Sequence, residues 1–81
     1  MAIEETFCVY QWFPNGYYEK VRDHVGAEEA VRAFHHYTTS VGARMGTTVR
    51  VIVTDADDYT NMEWKYGQGI TYPPGMLDKK Q

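Results

Sequence analysis

The sequence predicts an α+β fold, a two-layer ββαββ sandwich with one helix packed on one face of a mainly antiparallel four-stranded sheet. Two observations predict this fold. Short runs of β-branched and aromatic residues occur in two pairs, and turn residues separate the members of each pair. A stretch with apolar residues at helical spacing lies between the pairs. One helix covers one face of a sheet, so the opposite face is expected to stay uncovered.

The first pair of strands is predicted within residues 6–25. Residues 6–13 are rich in β-branched and aromatic types and form the first strand. Asn15-Gly16 follows, which is a strong hairpin signal because both residues tolerate positive φ. The alternating residues 17–25 are predicted to be the return strand.

The helix is predicted over 27–41. Glu28 and Glu29 fall in its first turn, where acidic side chains complement the helix dipole. Gly42 is predicted to end it, with a short connector at 43–46. Its apolar face is predicted to consist of Ala27, Ala30, Val31, Phe34, Tyr37, Thr38 and Val41.

The second pair of strands is predicted at 47–54 and 60–66, joined by a polar turn. Residues 70–72 are either a short fifth strand or an extended edge. The strand orders 2-1-3-4 and 1-2-4-3 both keep neighbouring strands antiparallel, and the sequence does not choose between them. A length of 81 residues predicts one small domain, here 1–75, followed by a frayed polar tail at 76–81.

Alternation along the strands predicts which side chains share a face. The face toward the helix, with the helix residues that meet it, is predicted to hold Phe7, Val9, Val21, Val31, Phe34, Val49, Val51, Val53, Met62 and Trp64. The uncovered face is predicted to hold Tyr10, Trp12, Tyr18, Lys20, Arg22, Arg50, Ile52 and Lys65. Exposed aromatic patches are rare on monomers, and aromatic residues with Arg are typical of interface cores. These eight residues are therefore the candidate interface.

Three functions are compatible with this face. In the first, the protein forms a homodimer by stacking this face on that of a second copy. In the second, this face binds another protein. In the third, it binds single-stranded nucleic acid, with bases stacked on its aromatic residues and phosphates on its basic residues. A net charge of −3 disfavours nucleic acid, because such binding depends on positive charge.

No motif predicts an enzyme, a cofactor or a metal. The acidic segment 55–61 lacks the residues that a calcium loop needs, since those positions hold Tyr59, Thr60 and Tyr66. It is predicted to be a solvated turn, with weak cation binding left open. His35 and His36 are adjacent on the helix and do not share a face. We therefore expect no catalytic, cofactor-binding or metal-binding residues.

The cellular setting is predicted from cysteine usage and hydropathy. The single cysteine, Cys8, rules out an intramolecular disulfide and favours the reducing cytoplasm. The N-terminal residues lack the features of a signal peptide. No apolar run approaches the ~20 residues that span a bilayer, so no membrane partner is expected.

Segments 25–31 (VGAEEAV), 50–55 (RVIVTD) and 60–73 (TNMEWKYGQGITYP) resemble short uncharacterised bacterial and prophage-type proteins built on a hairpin–helix–hairpin plan. These segments are strand, helix and turn patterns, so the resemblance implies a fold rather than an activity. Small phage-encoded inhibitors of host systems are similar in size and acidity. By that analogy, inhibition of a host protein is a further alternative.

Overall fold

A computed structural model describes residues 5–73, which form one antiparallel sheet with the main helix on one of its faces. The elements in chain order are β1 (Phe7–Trp12), β2 (Tyr18–Val25), α1 (Ala27–Thr38), α2 (Val41–Met45), β3 (Arg50–Asp55), β4 (Thr60–Lys65) and β5 (Gly69–Tyr72). The strand order is β2-β1-β3-β4-β5. The predicted α+β class is confirmed, and of the two open orders the sheet contains 2-1-3-4.

The prediction of four strands is wrong, because β5 pairs with β4 as a fifth strand. Gly67 and Gly69 adopt φ of 81° and 79°, which lets the chain reverse directly after β4. Ile70 then packs against the core beside Trp64, its partner across the β4–β5 pair. The predicted end of the domain at 75 and the predicted tail at 76–81 lie outside the described residues.

The predicted helix is divided into two. α1 ends at Thr38, where the hydroxyls of Thr38 and Thr39 donate to the carbonyl of His35 at 3.2 and 2.7 Å. Side chains that bond to the backbone in this way compete with helix continuation. Ser40 then caps the N-terminus of α2, because its Oγ accepts a hydrogen bond from the amide of Ala43 at 3.1 Å.

The predicted helix end at Gly42 is therefore wrong, and so is the connector predicted at 43–46. Gly42 lies inside α2, and Gly46 ends that helix with a left-handed φ of 87°. A Cβ at Gly46 would lie 3.2 Å from the Tyr66 ring, so both the backbone and the space favour glycine there.

The core lies between α1 and the sheet face that it covers. Its buried residues are Val9, Ala30, Ala33, Phe34, Val51 and Val53. Seven of the eight predicted strand residues belong to this core or pack against it, namely Phe7, Val9, Val21, Val51, Val53, Met62 and Trp64. Val49 does not, because it precedes β3 and lines a depression with Trp12 and Arg50. Val31 does not either, since it is 53% exposed, and Ala33 occupies the contact instead. Within residues 5–73, neither helix is long and apolar enough to cross a membrane.

Candidate interface on the uncovered sheet face

Three aromatic rings pack together on the sheet face opposite α1, and we call Tyr10, Trp12 and Tyr18 the aromatic cluster. The ring centroids of Trp12 and Tyr18 are 5.1 Å apart in a stacked arrangement. Tyr10 lies 6.1 Å from Trp12 and 5.9 Å from Tyr18. Tyr10 and Trp12 alternate along β1, and Tyr18 is the cross-strand partner of Trp12. Strand register therefore builds the cluster directly.

The aromatic cluster is open to solvent, whereas Ile52, the residue beneath it, is buried. Tyr18 is 60% exposed, and Tyr10 and Trp12 are half-buried. Ile52 lies opposite Tyr10 on β3 and is only 8% exposed. A shallow depression is lined by the three rings and Ile52, with Thr54 and Asp58 also contributing. Ile52 thus supports the candidate interface from below, and the rings form its surface.

Arg50 is fixed between the aromatic cluster and β4. Its Nε donates to Glu63 Oε2 at 2.6 Å, and the central guanidinium carbon lies 4.7 Å from the Trp12 ring centroid. A guanidinium over an indole face is attracted by about 0.5–2 kcal/mol, depending on desolvation. Arg50 is opposite Trp12 on one side and Lys65 on the other, at the first residue of the central strand β3.

Glu63 is a residue of this face that the sequence analysis left out. Burial raises the pKa of its carboxyl, but the hydrogen bond and charge of Arg50 outweigh this effect. The Thr71 hydroxyl also donates to Glu63 Oε1 at 3.1 Å. The net result is a pKa of Glu63 below its ordinary value, so the ion pair with Arg50 is formed at neutral pH.

Glu63→Gln is expected to reduce the loss of stability in acid. Because the folded-state pKa of Glu63 lies below its unfolded value of about 4.3, the stabilisation is complete above that value. It is lost as the pH falls through the folded-state pKa. Thermal unfolding midpoints should therefore fall less steeply below about pH 5 in this variant than in the wild type. Glu28→Gln, on the exposed surface of α1, is the control. Equal slopes for wild type and Glu63→Gln would contradict the expectation.

Lys20 also carries an ion pair on this face. Its Nζ is 3.3 Å from Asp23 Oδ1 and 5.8 Å from the Tyr10 ring centroid. The hydrogen bond with Asp23, followed by the charge of that carboxylate, raises the pKa of Lys20. Lys65, at the far side of Arg50, makes no ion pair with another residue in 5–73.

Arg22 does not lie on this face, and its predicted placement is wrong. Val9 pairs with Arg22 and Tyr10 pairs with Lys20, so Val21 is an extra residue in β2. Such a β-bulge interrupts the alternation of side chains. Arg22 consequently faces α1, where its Nε is 3.3 Å from Glu29 Oε2.

All the other predicted interface residues lie on the uncovered face, but they do not form a basic stripe. Arg50 and Lys20 are paired with carboxylates, and Arg22 has moved to the other face. The positive charge that phosphates would need is therefore largely neutralised within the protein.

None of three comparisons, with protein-family models, with curated proteins and with solved structures, finds a match to this chain. Its function must therefore be inferred from the arrangement of its own residues.

Proposed function

We propose that the protein is a non-enzymatic homodimer in which the uncovered sheet faces of two copies stack on each other. The observation that carries this proposal is the aromatic cluster, with Arg50 held over Trp12. Trp, Tyr and Arg are the residue types most enriched at interface hot spots. A small domain with one helix layer also gains a second core by this stacking.

The charges on this face are compatible with a second copy. In a twofold dimer each patch meets itself, so an excess of one charge would be repeated across the interface. Lys20 and Arg50 are each neutralised by a carboxylate of the same chain, Asp23 and Glu63, and Lys65 at the side of the face is the one basic residue there without an ion pair in 5–73. The paired charges leave the rings and the side-chain stems to make contact without strong repulsion between like charges.

The size of the face predicts a modest affinity. Five strands spaced about 4.8 Å apart, with about six residues each, form a plane of roughly 20 by 20 Å. A standard interface buries about 800 Å² per partner, so a sheet face of this size is at the small end. We therefore expect a dissociation constant on the order of micromolar, about 8 kcal/mol, rather than nanomolar.

Two expectations from the sequence, on the cellular compartment and on catalysis, are part of this proposal. The protein acts in the cytoplasm, which is consistent with its one cysteine, Cys8, being unpaired. It acts by association and not by catalysis. Another protein, including a host protein targeted by a phage-type inhibitor, is the alternative occupant of the same face.

Sedimentation velocity over about 0.1–100 µM, a range that brackets the expected dissociation constant, tests this proposal. We expect the mean mass to rise from monomer to dimer as the concentration increases. The dependence on salt should be weak because the contact is mainly apolar. A monomer at all concentrations would overturn self-association and leave the protein-partner alternative. Salt-sensitive binding of a short single-stranded oligonucleotide would favour the nucleic-acid alternative instead.

A further inference from the structure

Cys8, Asp23 and His24 bring three different donor atoms together on the uncovered sheet face, beside Lys20. Cys8 Sγ lies 3.7 Å from Asp23 Oδ1, and His24 Nδ1 lies 2.6 Å from the same oxygen. The three donor atoms all lie within 4.8 Å of one another. Cys8 is buried, whereas Asp23 and His24 are exposed, so the cluster is accessible from one side.

The backbone of β2 creates this arrangement at two points. The bulge at Val21 changes the alternation, so Asp23 lies on the same face as Cys8. His24 would point away from Asp23 in a regular strand, but its φ is 55°, in the left-handed region. That conformation is uncommon for a residue other than glycine, and here it accompanies a His24 ring that contacts Asp23.

We propose that Cys8, Asp23 and His24 form a binding site for one divalent transition-metal ion, with Zn²⁺ as the best match. Thiolate sulfur, imidazole nitrogen and carboxylate oxygen are all ligands that Zn²⁺ accepts, whereas Mg²⁺ and Ca²⁺ prefer oxygen ligands alone. Bond lengths of about 2.0–2.3 Å in a tetrahedron place ligand atoms about 3.3–3.7 Å apart. Small side-chain movements bring the three donors to that spacing. The fourth position faces solvent and is available to water.

The same geometry disfavours a cysteine nucleophile. A Cys–His pair needs the ring within hydrogen-bond reach of the sulfur, so that it can take the thiol proton. Here the thiol and the ring both contact Asp23 Oδ1, and within residues 5–73 Cys8 and His24 form no hydrogen bond with each other. This arrangement suits three ligands around a common ion better than proton transfer from Cys8 to His24.

Lys20 competes with a metal ion for Asp23. Its ammonium group lies 3.3 Å from Asp23 Oδ1, the oxygen that also contacts the other two donors. A bound metal would displace the ammonium from this oxygen. Removal of the Lys20 charge should therefore tighten metal binding.

Titration of the tag-free protein with Co²⁺, a spectroscopic substitute for Zn²⁺, tests the site. We expect one Co²⁺ per chain, a near-ultraviolet band from thiolate-to-metal charge transfer, and displacement by Zn²⁺. Cys8→Ser should abolish the band. His24→Ala should weaken binding by more than the roughly 10–100-fold that loss of an outer-shell partner costs. His36→Ala, on the exposed surface of α1, is the control and should bind as the wild type does.

The results of the Co²⁺ titrations distinguish a specific metal site from adventitious binding of the ion. Absence of a thiolate band, or a band that survives unchanged in His24→Ala and Asp23→Asn, would overturn the proposal. Lys20→Gln is expected to bind Co²⁺ more tightly, and unchanged or weaker binding would count against Asp23 as a ligand. Far-ultraviolet circular dichroism confirms that each variant is folded, so loss of binding is attributed to the ligands.

Discussion

Trp12→Ala is expected to weaken self-association by about 2–4 kcal/mol, which raises the dimer dissociation constant roughly 30- to 1000-fold. Trp12 contacts both tyrosines of the aromatic cluster and supports the guanidinium of Arg50. Its removal therefore disrupts the whole of the proposed contact surface. Sedimentation equilibrium of the variant and the wild type over the same concentrations measures the change.

Tyr59→Ala is the matched control for that experiment. Tyr59 is 71% exposed, lies in the turn between β3 and β4, and does not line the depression that the three rings form. We expect its association to equal that of the wild type. Association of Trp12→Ala at wild-type strength would show that the aromatic cluster is not the contact surface.

Phe34→Ala is expected to lower the free energy of unfolding by about 3–5 kcal/mol. Phe34 is 4% exposed and belongs to the core cluster with Val9, Val51 and Val53. Alanine at this position leaves a cavity between α1 and the sheet. Since small domains are stabilised by about 5–15 kcal/mol, the loss is a large part of the total.

Denaturant unfolding of dilute protein measures this effect without a contribution from association. Val31→Ala is the control on the same helix, because Val31 is 53% exposed. We expect Val31→Ala to change the unfolding free energy by only about 0.5 kcal/mol. An equal loss of unfolding free energy in the two variants would contradict the orientation of α1, in which Phe34 is buried and Val31 is exposed.

The local patterns of the sequence predict most of the strands because hairpin and alternation signals are short-range. Asn15 and Gly16 lie in the first turn as expected, but only Gly16 has a positive φ, of 93°, and Asn15 Oδ1 accepts from the amide of Tyr17 instead. The bulge in β2 depends on how two strands pair, so alternation within one strand misplaces Arg22. The end of α1 likewise depends on hydroxyl hydrogen bonds that a helical pattern does not contain.

Seven of the eight predicted interface residues lie on the uncovered face, but Arg22 does not, and the partners of the seven were not predictable. Trp12 and Arg50 meet only because β1 and β3 are neighbours in the order β2-β1-β3-β4-β5. In the alternative order 1-2-4-3 these strands would lie at opposite edges, and the pair would not form. The sequence left both orders open. The pairing of Arg50 with Glu63, and hence the neutral character of the face, follows from the tertiary arrangement.

The proposed homodimer forms by association of two copies through the uncovered sheet face. Intermolecular NOEs in a mixture of isotope-labelled and unlabelled protein, measured at a concentration where the dimer predominates, test it most directly. We predict contacts between copies from the ring protons of Tyr10, Trp12 and Tyr18, and none from the exposed surface of α1. Intermolecular contacts confined to α1, or a protein that remains monomeric at every accessible concentration, would contradict association through this face.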